Sequence, residues 1–188
     1  LTAVVAWLAA GRSAEALAEA VKEGPDGRAD AALRALRRMG PSAGAAVPPL
    51  VAARADVSPA VRDGITRTLG YLGTPAAAPL RDIALTEPPE SAGLAVESLA
   101  AVGGPAAPDL VAVWVGTPHD PVKEKAAAAL RRVGDAGVAP LIEGFTAENA
   151  YGHYEWLQKL DPNWLLRNTP NKTAAACQGL PRLTERAR

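Results

Sequence analysis

The sequence predicts an all-α protein, folded as an α-solenoid of about four to five helical hairpins with a C-terminal cap or tail. Three observations carry that expectation. Aromatic residues make up only 4% of the chain, while alanine fills much of a 48% hydrophobic share. That balance suits closely packed helices better than strands, which favour β-branched and aromatic side chains. A short string also recurs, as LGYLGTPAAAPL at 69–80, LAAVGGPAAPDL at 99–110 and LRRVGDAGVAPL at 130–141. Its glycines are Gly73, Gly103 and Gly134, with Gly40 in an earlier copy, and they are spaced by 33, 30 and 31 residues. A period near that length marks stacked supersecondary units.

The units divide the chain at roughly 1–27, 28–57, 58–88, 89–119 and 120–148, giving a repeat domain over 1–148 and an appendage over 149–188. The first unit is the loosest, with Trp7 and Leu8 ahead of Gly11, then Leu17 and Val21 on a helix ending near Gly24. In the other four, leucine stands four residues before the key glycine (Leu36, Leu69, Leu99, Leu130), and Met39, Leu72, Val102 or Val133 stands directly before it. That spacing lays two apolar side chains on one face of a first helix. Ile65, Ala95 and Ala126 extend the face backwards, so this helix spans about three turns. Glycine then lets the chain leave through a left-handed turn, because no Cβ clashes there.

A second helix follows each stop. Thr74 before Pro75, and Asp135 in the last unit, are the expected caps. Apolar residues recur at helical spacing as Leu80 and Ile83, as Leu110, Val111 and Trp114, and as Leu141, Ile142 and Phe145. The unit 28–57 has a longer link, GPSAGAAVPPL. Ser58 before Pro59 and Asp120 before Pro121 are expected to cap the next first helices. Each hairpin has apolar stripes that it cannot bury alone, so it must lay them against its neighbours. Gly64 and Gly93 fall inside first helices, where each costs about 1 kcal/mol relative to alanine. They mark either local softness or close helix approach.

Strings such as VKEKAAAALRRVGDAGVAPLIEGF and VRDGITRTLGYLGTPAAAPLRDI resemble HEAT-like repeats, especially the short kind named after phycobilisome lyases. The resemblance covers residues 29 to about 148 well, 4 to 28 loosely and 149–188 hardly at all. It implies a right-handed superhelix with first helices on the convex face and second helices on the concave one, in a family whose members mostly act as scaffolds and adaptors. Some related repeat proteins attach bilins to phycobiliproteins and some are DNA glycosylases; no catalytic motif of the bilin-attaching relatives maps onto a position here. Fold alone does not choose among these activities.

Charge and composition narrow the partners. Twenty basic residues against twenty acidic ones leave a formal net charge of zero, so no global field draws the chain to phosphate backbones or anionic membranes. Nucleic acid is therefore disfavoured and a protein partner expected. The opening LTAVVAWLAA is apolar but too short to span a bilayer. It reads as a first packed helix, or as the stub of a processed or missing anchor segment, the one route to a membrane. Localisation stays open between the cytoplasm and export.

No cofactor is expected and no catalytic constellation emerges. The single cysteine, Cys177, excludes an intrachain disulfide and lies among alanines with no neighbouring cation to favour the thiolate. His119 precedes the Asp120 cap in a loop, and His153 lacks companions at metal-ligand spacing. Arg34, Arg37 and Arg38, with Arg28 nearby, form the densest basic group. Arg34 and Arg38, four apart on one helix face, would suit phosphate or an acidic partner, but the group reads first as a solvated outer face. Arg131 and Arg132 do the same.

The expected function is that of a non-enzymatic protein–protein interaction scaffold or accessory subunit. The alternative is a lyase-like or chaperone-like factor acting on a chromophore- or cofactor-bearing partner. Partner-binding candidates are Arg54, Arg81 and Trp114 on the concave face, with Tyr151, Tyr154, Trp156 and Trp164 of the segment YGHYEWLQKLDPNWLL. Arg54 stands out because it occupies the second-helix place that other units fill with Val21, Ala84, Trp114 or Phe145. The aromatic segment is read first as a cap on the last hairpin and second as an anchor for a partner.

Overall fold

The computed structural model describes residues 14–137. Within them all regular secondary structure is helical, with no strand. The α-helices are α1 (Ala14–Glu23), α2 (Asp26–Met39), α3 (Val47–Ala53), α4 (Pro59–Leu69), α5 (Ala77–Thr86), α6 (Pro89–Val102), α7 (Ala107–Gly116) and α8 (Asp120–Val133). Short 3-10 segments lie at Gly40–Ala46, Thr74–Ala76, Gly104–Ala106 and Gly134–Gly137. The expected first helices are α2, α4, α6 and α8, and the second helices α3, α5 and α7. Trp7, Leu8, Leu141, Ile142 and Phe145 lie outside the described residues.

The repeated glycines end or follow the first helices as expected, with a difference of conformation. Gly40 has φ 60° and ψ −140°, and Gly73 has φ 81° and ψ −155°; Gly103 and Gly134 also have positive φ. Positive φ with extended ψ is closed to residues bearing a Cβ, and it is not the left-handed helical turn that the spacing suggested. The chain leaves the glycine directly into a 3-10 turn, as when the Ala76 N–H donates to the Gly73 carbonyl at 3.0 Å.

That turn also displaces the expected caps. Thr74 opens the 3-10 segment and α5 begins only at Ala77. At the start of α8, the Val122 and Lys123 N–H groups both donate to the His119 carbonyl, so Asp120 is the first helical residue and not its cap. Its carboxylate still complements the positive end of the helix. Ser58 behaves as expected: its hydroxyl accepts from the Val61 N–H at 3.4 Å, with Pro59 opening α4.

Packing follows chain order. Helix α2 lies on α4, α4 on α6 and α6 on α8, while α1 packs on α3 and α5 on α7. Helices α5 and α6 are also closely packed, as are α7 and α8. One continuous apolar cluster runs through these contacts. The repeat leucines Leu36, Leu69, Leu99 and Leu130 are all at 0% exposure, each worth about 1.5–3 kcal/mol in apolar surface removed from water.

Glycine also sets how closely the first helices approach. A Cβ on Gly64 would come within 3.0 Å of the Leu33 side chain, but the tightest approach between first helices is at Gly70, a position the sequence did not single out. A Cβ there would sit 2.7 Å from the Ser98 carbonyl oxygen. Helices α4 and α6 meet where one of them has no side chain.

Candidate functional site

Arg54 closes α3, a helix whose first turn holds Pro48 and Pro49. It is 8% exposed, and a cation so buried requires a counter-charge. Glu87 supplies it. The residue follows α5 directly, its own N–H donating to the Ile83 carbonyl at 3.0 Å. The Arg54 guanidinium donates to both Glu87 carboxylate oxygens, at 2.6 and 2.9 Å. This fork-on-fork geometry matches the two planar groups. The Arg54 carbonyl is also engaged, accepting from Arg62 Nε at 2.9 Å. Thus the ends of α3 and α5 and the start of α4 are joined around one residue, while Arg54 Nε itself is buried without a hydrogen-bond partner.

Arg81, in the middle of α5, makes a more open link. It donates to Asp82 from Nε and from one terminal nitrogen, at 3.1 and 2.9 Å, and to Asp109 in the first turn of α7 at 3.1 Å. The Asp82 hydrogen bond is the largest of the influences that raise the guanidinium pKa above its ordinary value. Partial loss of hydration opposes it, and the charges of Asp82 and Asp109 add to it. Trp114 lies on α7 at 0% exposure and belongs to the apolar cluster.

Of the seven residues expected to meet a partner, Arg54 and Trp114 are thus inside the molecule and Arg81 is half-buried between two carboxylates. They do not form one open surface. Tyr151, Tyr154, Trp156 and Trp164 lie outside the described residues, as do His153 and Cys177. His119 is half-buried directly before α8. Among the described residues no group of three His, Cys, Asp or Glu side chains is placed to hold a metal ion, and no helix is long and apolar enough to cross a membrane.

The basic group of α2 divides. Arg34 is exposed and pairs with Asp30, and Arg38 is exposed. Arg37 is not part of a solvated face: it reaches α4, donating to the Thr68 hydroxyl at 2.9 Å and to the Gly64 carbonyl at 3.1 Å. Lys125 makes a comparable but exposed link from α8 to Glu97 on α6, at 2.6 Å. Sequence reasoning missed Glu87 and Tyr71, and it placed Arg37 on a solvated face instead of against α4. The missed signal for Glu87 was its distance of 33 residues from Arg54, which is one repeat. For Tyr71 it was an aromatic standing at the place that α2 gives to Arg38. Set against known protein families and curated proteins, the chain matches no family model and no curated protein.

Proposed function

We propose that the chain is a HEAT-like α-solenoid that works as a non-enzymatic protein–protein interaction scaffold or as an accessory subunit of a larger assembly. The observation that carries this reading is the successive packing of α2 on α4, α4 on α6 and α6 on α8. Side-chain links between units reinforce it: Arg37 to Thr68 and Gly64, Arg54 to Glu87, Arg81 to Asp109, and Lys125 to Glu97. A surface built on helices so fixed loses little freedom when a partner docks, and the energy of contact appears as affinity.

The aromatic residues Tyr151, Tyr154, Trp156 and Trp164 belong to this proposal through their chemistry, since large side chains with a polar tip dominate binding hot spots. The test is isolation of the tagged chain from its natural source under mild conditions, with mass spectrometry of what accompanies it. A protein recovered in fixed proportion is the expected result, and a chain that always emerges alone sinks the proposal. Trp156→Ala/Trp164→Ala should weaken that recovery while the circular dichroism of the repeats stays helical. Loss of the helical signal would assign the segment to capping instead.

A further inference from the structure

Repeat register places the outer residues of α2 and α4 side by side. Six residues before the key glycine stand Arg34 and Arg67, and two residues before it stand Arg38 and Tyr71. The structure draws these positions together. Arg37, adjacent to Arg38, donates to Thr68, adjacent to Arg67. The Tyr71 carbonyl oxygen lies 3.8 Å from where a Cβ on Gly40 would sit, at the end of α2.

All four side chains are exposed; Arg34 is paired with the exposed Asp30, whereas Arg38 and Arg67 have no ion-pair partner among the described residues. Tyr71, at 54%, is the one large apolar side chain exposed among the described residues. The support beneath them is fixed: Gly73 lies against Pro41, and the 3-10 segment Gly40–Ala46 packs on Thr74–Ala76.

Cations near the carbonyl ends of helices are stabilising by themselves, which accounts for arginines here but not for an exposed tyrosine in the same register. Arginine and tyrosine together are the side chains that most often anchor protein partners. We propose that Arg34, Arg38, Arg67 and Tyr71 form a docking patch for a short acidic segment of a partner protein. Its carboxylates would meet the guanidinium groups and an apolar side chain would cover the Tyr71 ring. The proposal rests on the interaction-module reading and names a surface and a partner chemistry for it.

The neighbouring units limit the length of that segment. At the places of Arg67 and Tyr71, α6 carries Glu97 and Ala101, and Asp63 stands one turn back from Arg67 on α4. A long polyanion such as duplex nucleic acid would run from the patch onto exposed Glu97 and Glu90, so a short peptide segment fits better than a nucleic acid.

The test is fluorescence anisotropy on the full chain, with a labelled peptide carrying one phenylalanine flanked by glutamates. The lysine-for-glutamate version of the peptide and a labelled DNA duplex serve as comparisons. The acidic peptide should bind, more weakly as salt rises, and both Arg38→Gln/Arg67→Gln and Tyr71→Ala should weaken it about tenfold or more. All three positions are exposed, so unchanged circular dichroism is expected to accompany the loss. Absence of binding, equal binding by the variants, equal binding of the lysine peptide, or duplex DNA held as tightly and lost in the same variants would each overturn the assignment. Because the peptide assay needs no natural partner, it fails independently of the isolation experiment. A partner recovered from the natural source by Tyr71→Ala and Arg38→Gln/Arg67→Gln as well as by the parent chain would remove the patch and leave the scaffold reading standing.

Discussion

Arg54 and Trp114 hold the same place in the repeat, eleven residues after the key glycine once the longer link of the unit 28–57 is allowed for, and both are buried. Among the described residues the remainder of that column is small and apolar, with Val21 and Ala84 each at 1% exposure. The place is interior whatever occupies it, and the occupant decides what else the fold must supply. The tryptophan fills the place chiefly with apolar surface, and in α5, which packs on α7, the place is held by Ala84. Arginine needs a carboxylate, and Glu87 provides one from the following unit. Equal burial thus joins one unit to its neighbours by apolar packing and ties the other to its neighbour by charge as well.

The largest effect should come from the apolar occupant. Trp114→Ala removes a fully buried indole and leaves a cavity, with an expected loss of about 3–5 kcal/mol in urea or guanidinium unfolding. An effect below about 1 kcal/mol would mean that the ring is not interior and would return it to the list of partner contacts.

The charged occupant should come next. Glu87→Ala strands the Arg54 cation, and breaking a buried pair costs about 3–5 kcal/mol. The lower end is expected because the Glu87 side chain keeps 27% of its surface in water. The sharper measurement is the double variant Arg54→Met/Glu87→Leu, which restores an apolar column and should return to within about 1 kcal/mol of the parent chain. If both variants are equally unstable, Arg54 contributes more than a neutralised charge, and the likeness to the Trp114 position breaks down.

How much of this was legible from the chain itself differs by position. The helices were legible because Leu36, Leu69, Leu99 and Leu130 repeat with their glycines, and burying such a stripe is the dominant favourable term. The interior character of the Trp114 column is also legible, since Val21 and Ala84 align with it, yet a tryptophan on a second helix suits a partner-facing surface by its chemistry. Arg54 was recognised as anomalous, but its partner was not, because the carboxylate comes from a helix end one full repeat away. The caps Thr74 and Asp120 failed for a local reason: three residues of 3-10 helix fit between Gly73 and α5, and the His119 carbonyl starts α8 one residue early. Such turn geometry lies below the resolution of a spacing argument.

The junction between α4 and α6 offers a third contrast, because it is closed by proximity and not by charge. Gly70→Ala places a methyl group against the Ser98 backbone, where neither side can yield without moving a helix. Overpacking of this kind is expected to cost about 1–3 kcal/mol, read by chemical unfolding and by faster amide exchange in α4 and α6. Gly103→Ala has open space for its Cβ but a positive φ of 84°. It therefore tests backbone strain alone.

The smallest effect is expected where the charge is most exposed. The Arg81 side chain keeps 35% of its surface in water and shares its donors between Asp82, 64% exposed, and Asp109. Arg81→Ala should cost only about 0.2–1 kcal/mol and less in high salt, where exposed charges are screened. The pH dependence follows from the sign of its shift. The guanidinium is held above its ordinary value, chiefly by the hydrogen bond to Asp82, so its contribution is fully present below the unfolded value and is lost only as pH rises through the folded one. Both values lie far above neutrality, so the difference between Arg81→Ala and the parent chain should be flat from about pH 6 to 10. A difference that fell steadily over that interval would show that the variant disturbs some other titrating group, and the contrast between the buried Arg54 link and the open Arg81 link would then need a cause other than exposure.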